Sequence, residues 1–140
     1  MIQLWERPQP ATGHPPALLL PKDAKSPRIA RGYARSRVAE DAPGASADHL
    51  DTVALVVSEL VTNAVRYGSH PGAAVRVTVD ADETRTHVAV TDHARRRPRR
   101  RRGAPEDTRG RGLFLLAAVT ARWGVTVSPQ GKTVWAEVQR

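Results

Sequence analysis

Apolar residues recur along this chain at two periods, and the changes of period mark its elements. From Asp48 to Tyr67, Leu50, Val53, Val56, Val57, Leu60, Val61, Ala64 and Val65 fall three or four positions apart, the spacing of one helix face. Gly68 follows and suits the C-terminal cap of that helix. An earlier helix is predicted from Ser26 to about Glu40, with Ser26 as N-cap, Pro27 at the first helical position, and Ile29, Ala30, Tyr33, Ala34 and Val38 inward. Pro43 and Gly44 make the segment from Asp41 to Ala47 a loop. After the Pro71-Gly72 turn the period drops to two. Val75, Val77 and Val79 alternate with Arg76 and Thr78, and Val88 and Val90 repeat the pattern beyond a turn at Ala81-Asp82-Glu83.

Ala17 to Leu20 form a short apolar run closed by Pro21, read as a strand. Before it, residues 1 to 16 are a proline-containing loose arm, with a short strand expected near Leu4-Trp5. From His93 to Arg109 all periodicity is lost among arginine, proline, glycine and acidic residues, which predicts a mobile, lid-like segment. Leu113, Phe114, Leu116, Ala117 and Val119 mark another helix. A strand through Val125 and Val127, a turn at Gln130-Gly131 and a last strand from Thr133 to Val138 complete the chain. This order predicts an α/β two-layer sandwich, with helices on one face of a mostly antiparallel mixed sheet, over residues 17 to 140.

Composition narrows the function. The chain of 140 residues fits one domain and contains no cysteine, which excludes disulfides and thiolate chemistry. No apolar run reaches membrane length and no signal-peptide pattern opens the chain, so a cytoplasmic protein without a membrane partner is expected. The net charge of +8 suggests nucleic acid, but seven arginines lie between Arg95 and Arg102. Without them 15 basic and 14 acidic residues remain. The excess is one local run without interleaved aromatics, which gives little support to base stacking. The run could clamp phosphates or an acidic partner, touch nucleic acid nonspecifically, or simply stay solvated. His14, His49, His70, His87 and His93 lack metal-like spacing.

Three features could carry chemistry. Glu59 and Asn63 are four residues apart, on one face of the second helix. A carboxylate there can accept the proton of an attacking hydroxyl, and an amide oxygen suits Mg²⁺. A solvated helix edge is the bland alternative. Asp92 ends a strand, where it can accept a hydrogen bond from an exocyclic amine such as that of adenine or can cap a turn. Gly110-Arg111-Gly112-Leu113 opens a helix, where bare backbone N–H groups admit phosphate, or where glycines serve as a hinge.

Taken in order, Ser58-Glu59-Leu60-Val61-Thr62-Asn63-Ala64, Val90-Thr91-Asp92, Gly110-Arg111-Gly112-Leu113, Trp123-Gly124-Val125 and Thr133-Val134-Trp135-Ala136-Glu137 closely resemble the anti-sigma-factor serine kinases. These belong to the GHKL superfamily, which has the Bergerat ATP-binding fold. The likeness covers roughly residues 17 to 139. It implies that Glu59 is a general base and Asn63 an Mg²⁺ ligand. It implies an adenine-reading Asp92, phosphate-binding Gly110 and Gly112 with Arg111 and Leu113 beside them, and a Thr133 near the base. ATP and Mg²⁺ are the cofactors so implied. The implied partners are an antagonist protein phosphorylated on serine, a sigma factor and a second copy of the chain.

The family's usual glycines after the aspartate are replaced here by Ala94 and Arg96. Ala94 would still stand beside the nucleotide, whereas Arg96 adds a long cation there. These replacements leave three readings: an ATP-dependent serine-protein kinase, a degenerate non-catalytic interaction module of the same fold, and a nonspecific nucleic-acid binder acting through the arginine run.

Overall fold

A computed structural model of the chain describes residues 16–67, 74–92, 116–129 and 131–140. Its elements are β1 (Leu18–Leu20), α1 (Ser26–Asp41), α2 (Ala47–Tyr67), β2 (Val75–Ala81), β3 (Arg85–Asp92), β4 (Arg122–Ser128) and β5 (Gly131–Gln139). Residues 116–119 are also helical. Within the described residues the sheet has the order β1-β2-β3-β5-β4, and every pairing in it is antiparallel. Both long helices pack on one face, α1 over β2 and β1 and α2 over β3 and β5. The two-layer α/β sandwich expected from the sequence is therefore the fold. The N-terminal arm through residue 15, with Leu4-Trp5, and the whole of the expected lid lie outside the described residues.

Strict alternation builds the inner face of the sheet. Val75, Val77, Val79 and Ala81 of β2, Val88 and Val90 of β3, and Ala136 and Val138 of β5 are buried. They meet Val53, Val56, Val57, Leu60 and Val61 of α2 and Ala30, Ala34 and Val38 of α1 in one core. The side chains of α1 in that core stand four residues apart and are small, so the helix lies close and its buried stripe is narrow. Ile29 falls outside the stripe and is 50% exposed, contrary to the sequence expectation, while Tyr33 is only partly buried against the core.

The start of α1 also differs from its expectation. Lys25 holds the capping position without a side-chain cap, and Ser26 is already helical. The Ser26 hydroxyl is buried and donates to the Pro21 carbonyl instead. Asp23 Oδ1 accepts the Lys25 N–H at 2.8 Å, and the Asp23 N–H donates to Pro21 at 2.9 Å. Residues 21–26 thus form a tightly bonded turn between β1 and α1.

At the other end of the layer, Ser46 accepts the His49 N–H at 3.1 Å and caps α2. His49 is buried, with Nε2 2.7 Å from Thr86 Oγ1 at the start of β3, which ties the first turn of α2 to the sheet. On the outer face, Glu137 is 2% exposed and lies 3.3 Å from Arg85 and 3.8 Å from His87, whose ring stacks on Trp135. The Trp135 indole covers Gly124, where a Cβ would stand 2.7 Å from Cζ2. That close approach gives the glycine in the Trp-Gly-Val string a packing role.

Two measurements check this architecture. Leu60→Ala should lower the unfolding free energy in urea by about 2–5 kcal/mol, whereas Ile29→Ala should change it by less than about 0.5 kcal/mol. The second concerns pH. Burial pushes the His49 pKa below the ordinary imidazole value, partly opposed by the Gln139 backbone and reinforced by Arg140. The unfolded chain therefore takes up this proton before the folded one does, from about pH 6.5 downward. The stabilisation is complete above that pH and is lost as pH falls through it towards the lower folded value. His49→Gln should remove this part of the acid slope in urea titrations, and an undiminished slope would assign it to another group.

Candidate functional site

The rotation of α2 decides where Glu59 and Asn63 go. Ser58 Oγ accepts a 2.8 Å hydrogen bond from Arg31 of α1, and Asp51 pairs with Arg35 at 2.9 Å, so this flank of α2 faces α1. Glu59 is one residue on, about 100° around the helix, and Asn63 stacks one turn above it. Both therefore sit on the opposite flank, bordering the apolar stripe, and both are half-buried.

Helix and strand lengths then set which end of the layer they occupy. His49 and Thr86 anchor the starts of α2 and β3 to each other. From that anchor α2 climbs about 21 Å to Asn63, and β3 runs about 20 Å to Asp92. Asn63 and Asp92 thus come to the same end of the two-layer stack.

Asp92 is the last residue of β3, on the inner face, and its cross-strand partners are Val75 and Lys132. The Lys22 Nζ atom lies 2.8 Å from Asp92 Oδ1, with the two side chains only 3% and 10% exposed. Lys22 sits two residues past Leu20, which pairs with Val75, so its side chain passes the end of β2 to reach the carboxylate. The contact is an ion pair without hydrogen-bond alignment. Neither Nζ nor Oδ1 has a directed hydrogen-bond partner among the described residues. A buried donor and a buried acceptor are thus left side by side, and groups in that state call for a ligand or water to complete them. The edge of a nucleobase, with amine and ring nitrogen adjacent, is chemically suited to such a pair.

Thr133 goes elsewhere. It is registered with Thr91, and the two hydroxyls bond at 2.8 Å on the outer face of the sheet. Strand alternation turns it away from Asp92, so the structure does not bring these two residues together. Ala94, Gly110, Arg111, Gly112 and Leu113 lie outside the described residues. Among the described residues no three His, Asp or Glu side chains cluster as a metal site. A single amide oxygen such as that of Asn63 nevertheless suits Mg²⁺, which takes few protein ligands and completes its shell with phosphate and water. No described helix is long and apolar enough to cross a membrane. The Lys22–Asp92 contact is what sequence reasoning missed. The only local signal at Lys22 is its place in a Pro-Lys-Asp turn, which reads as a solvated lysine.

The structure is thus a two-layer α/β sandwich with a polar helix flank and a strand-end carboxylate at one end, an arrangement that could hold a nucleotide. Residues 20–138 match the family model described as the histidine kinase-like ATPase domain, and the chain belongs to that family. The family implies ATP as the ligand. No curated protein matches the chain. Among solved structures it is similar to the histidine kinase domain of a blue-light-activated histidine kinase from Erythrobacter litoralis, at 19% identity and a TM-score of 0.46. That match covers 65% of this chain and 44% of the other, so the chain spans less than half of that solved domain.

The buried pair makes a stability prediction. Asp92→Asn leaves the Lys22 ammonium buried without its counter-charge and should cost about 3–5 kcal/mol in urea unfolding. Adding Lys22→Met to that variant removes the stranded charge and should recover most of the loss. A mild effect of Asp92→Asn alone would mean that the ammonium escapes to solvent.

Proposed function

We propose that the protein is an ATP-binding regulator of the bacterial cytoplasm acting as a serine-protein kinase of anti-sigma-factor type. The observation that supports this reading best is the Glu59–Asn63 pair, on the flank of α2 turned away from α1 and at the same end of the layer as Asp92. Phosphoryl transfer asks the protein chiefly for positioning and charge neutralisation. Asp92 takes the base, and Asn63 holds Mg²⁺, which when bound neutralises phosphate charge. Glu59 accepts the proton of the incoming serine hydroxyl. That oxygen bonds to the γ-phosphorus as the bond to the departing ADP oxygen breaks. Gly110 and Gly112, with Arg111 and Leu113, line the phosphate end, and the arginine run before them belongs to the lid. The substrate is a serine of an antagonist protein, and a sigma factor is the alternative partner when the antagonist is absent.

A second reading is carried by specific residues. Ala94 and Arg96 stand where the family usually has glycines, and Lys22 already engages Asp92. These features suit a non-catalytic interaction module with weakened nucleotide binding.

Calorimetry with Mg-ATP and a magnesium-free control separates the two readings. Under the kinase reading binding is Mg-dependent and micromolar, on the order of −8 kcal/mol. Glu59→Ala should then abolish phosphate transfer while ATP binding persists, and Asn63→Ala should weaken only the Mg-dependent part. Loss of binding in Glu59→Ala would make that residue structural. Absence of binding in the unaltered protein would favour the interaction module.

A further inference from the structure

We infer that Lys22 is a base-reading residue, donating to the ring-nitrogen acceptor beside the exocyclic amine that Asp92 accepts; this rests on the nucleotide-binding reading above. The unsatisfied state of the pair carries the inference. An ammonium has three donors and a carboxylate about four acceptor sites. Here both groups are buried and in contact, yet Lys22 Nζ and Asp92 Oδ1 lack a directed hydrogen-bond partner among the described residues. A ligand edge with a donor next to an acceptor satisfies both at once. Adenine has that edge, with its 6-amino group next to N1.

Lys22 is also held where such reading requires it. The turn at residues 21–26 is closed by the Ser26 hydroxyl on the Pro21 carbonyl, by Asp23 Oδ1 on the Lys25 N–H, and by the Asp23 and Ser26 backbone bonds of 2.9 and 3.0 Å. Leu20, just before it, is buried and paired with Val75, the strand neighbour of Asp92. A lysine mounted on so short and constrained a segment loses less freedom on engaging a ligand than one on a loose loop.

The test compares Mg-ATP with Mg-1-deaza-ATP, in which carbon replaces N1 and the amine is kept, by calorimetry on the full chain. The unaltered protein should prefer ATP by on the order of tenfold to a hundredfold, the range expected of a hydrogen bond from a charged donor. Lys22→Met should weaken ATP binding and bring the two ligands to within about threefold of each other. Lys22→Gln, which keeps a donor, should retain part of the preference, and a thermal melt confirms that each variant is folded. Equal binding of the two ligands by the unaltered protein would overturn the inference. So would a preference that survives in folded Lys22→Met, or tighter ATP binding by that variant, which would make Lys22 a plug on Asp92. Failure of the unaltered protein to bind ATP at all would overturn the nucleotide reading itself, a result distinct from ATP binding without N1 discrimination.

Discussion

The apolar stripe of α2 can meet the inner face of the sheet in only one rotation. Val53, Val57, Leu60 and Val61 are buried against Val88, Val90, Ala136 and Val138, and turning the helix by one residue would carry several of these side chains into water. At roughly 25 cal/mol per Å² of apolar surface, that is a large penalty for a domain of marginal stability. The rotation in turn fixes Glu59 and Asn63, which border the stripe on the side away from α1. The His49–Thr86 contact fixes the remaining freedom, the slide of the helix along the strand. The core thus sets the position of these polar residues.

The Lys22–Asp92 pair obeys a different logic. Bringing both charges out of water carries a penalty that their attraction offsets only with good geometry and further hydrogen bonds. Here the further bonds are missing among the described residues, so the pair adds little to stability. On the outer face, far along β3 from Asp92, Glu137 is equally buried but keeps one aligned hydrogen bond, from Arg85 at 3.3 Å. An incomplete pair at a strand end, at the same end of the layer as the polar flank of α2, suits a group that arrives later.

The sequence made the layers legible because both periods were strong. Valine alternation in β2 and β3 and the three-four spacing in α2 each bury one face, and the structure follows them closely. Expectations failed where local signals compete. Ser-Pro reads as a cap and first turn, but the Ser26 hydroxyl found a nearer acceptor in Pro21. Ile29 reads as core by type, but the small residues of α1 set a stripe too narrow to include it. Glu59, Asn63 and Asp92 were singled out because their neighbours form a recognisable string, and the fold brings Asn63 and Asp92 to one end of the layer. The Lys22–Asp92 pair was not legible, since the contact spans 70 positions of the chain and no periodicity encodes that. Thr133 was placed near the base by the resemblance alone, and strand register puts it on the face of the sheet opposite Asp92.

Two kinds of positive charge follow from this arrangement, and they act over different ranges. Lys22 is neutralised in place by Asp92 at 2.8 Å, so at a distance the pair is only a dipole and influences what touches it. In the role proposed for it, the pair would select by hydrogen-bond pattern at the base. The seven arginines between Arg95 and Arg102 have no such compensation in sequence, since the nearest downstream acids are Glu106 and Asp107. Their field reaches about 8 Å at physiological salt and further at low salt. They can draw in phosphates or an acidic partner, but they cannot distinguish one base from another. Salt should therefore alter how strongly this protein attracts a nucleotide much more than which nucleotide it prefers. On the proposed reading, the Lys22–Asp92 end would set identity and the arginine run only the strength of attraction.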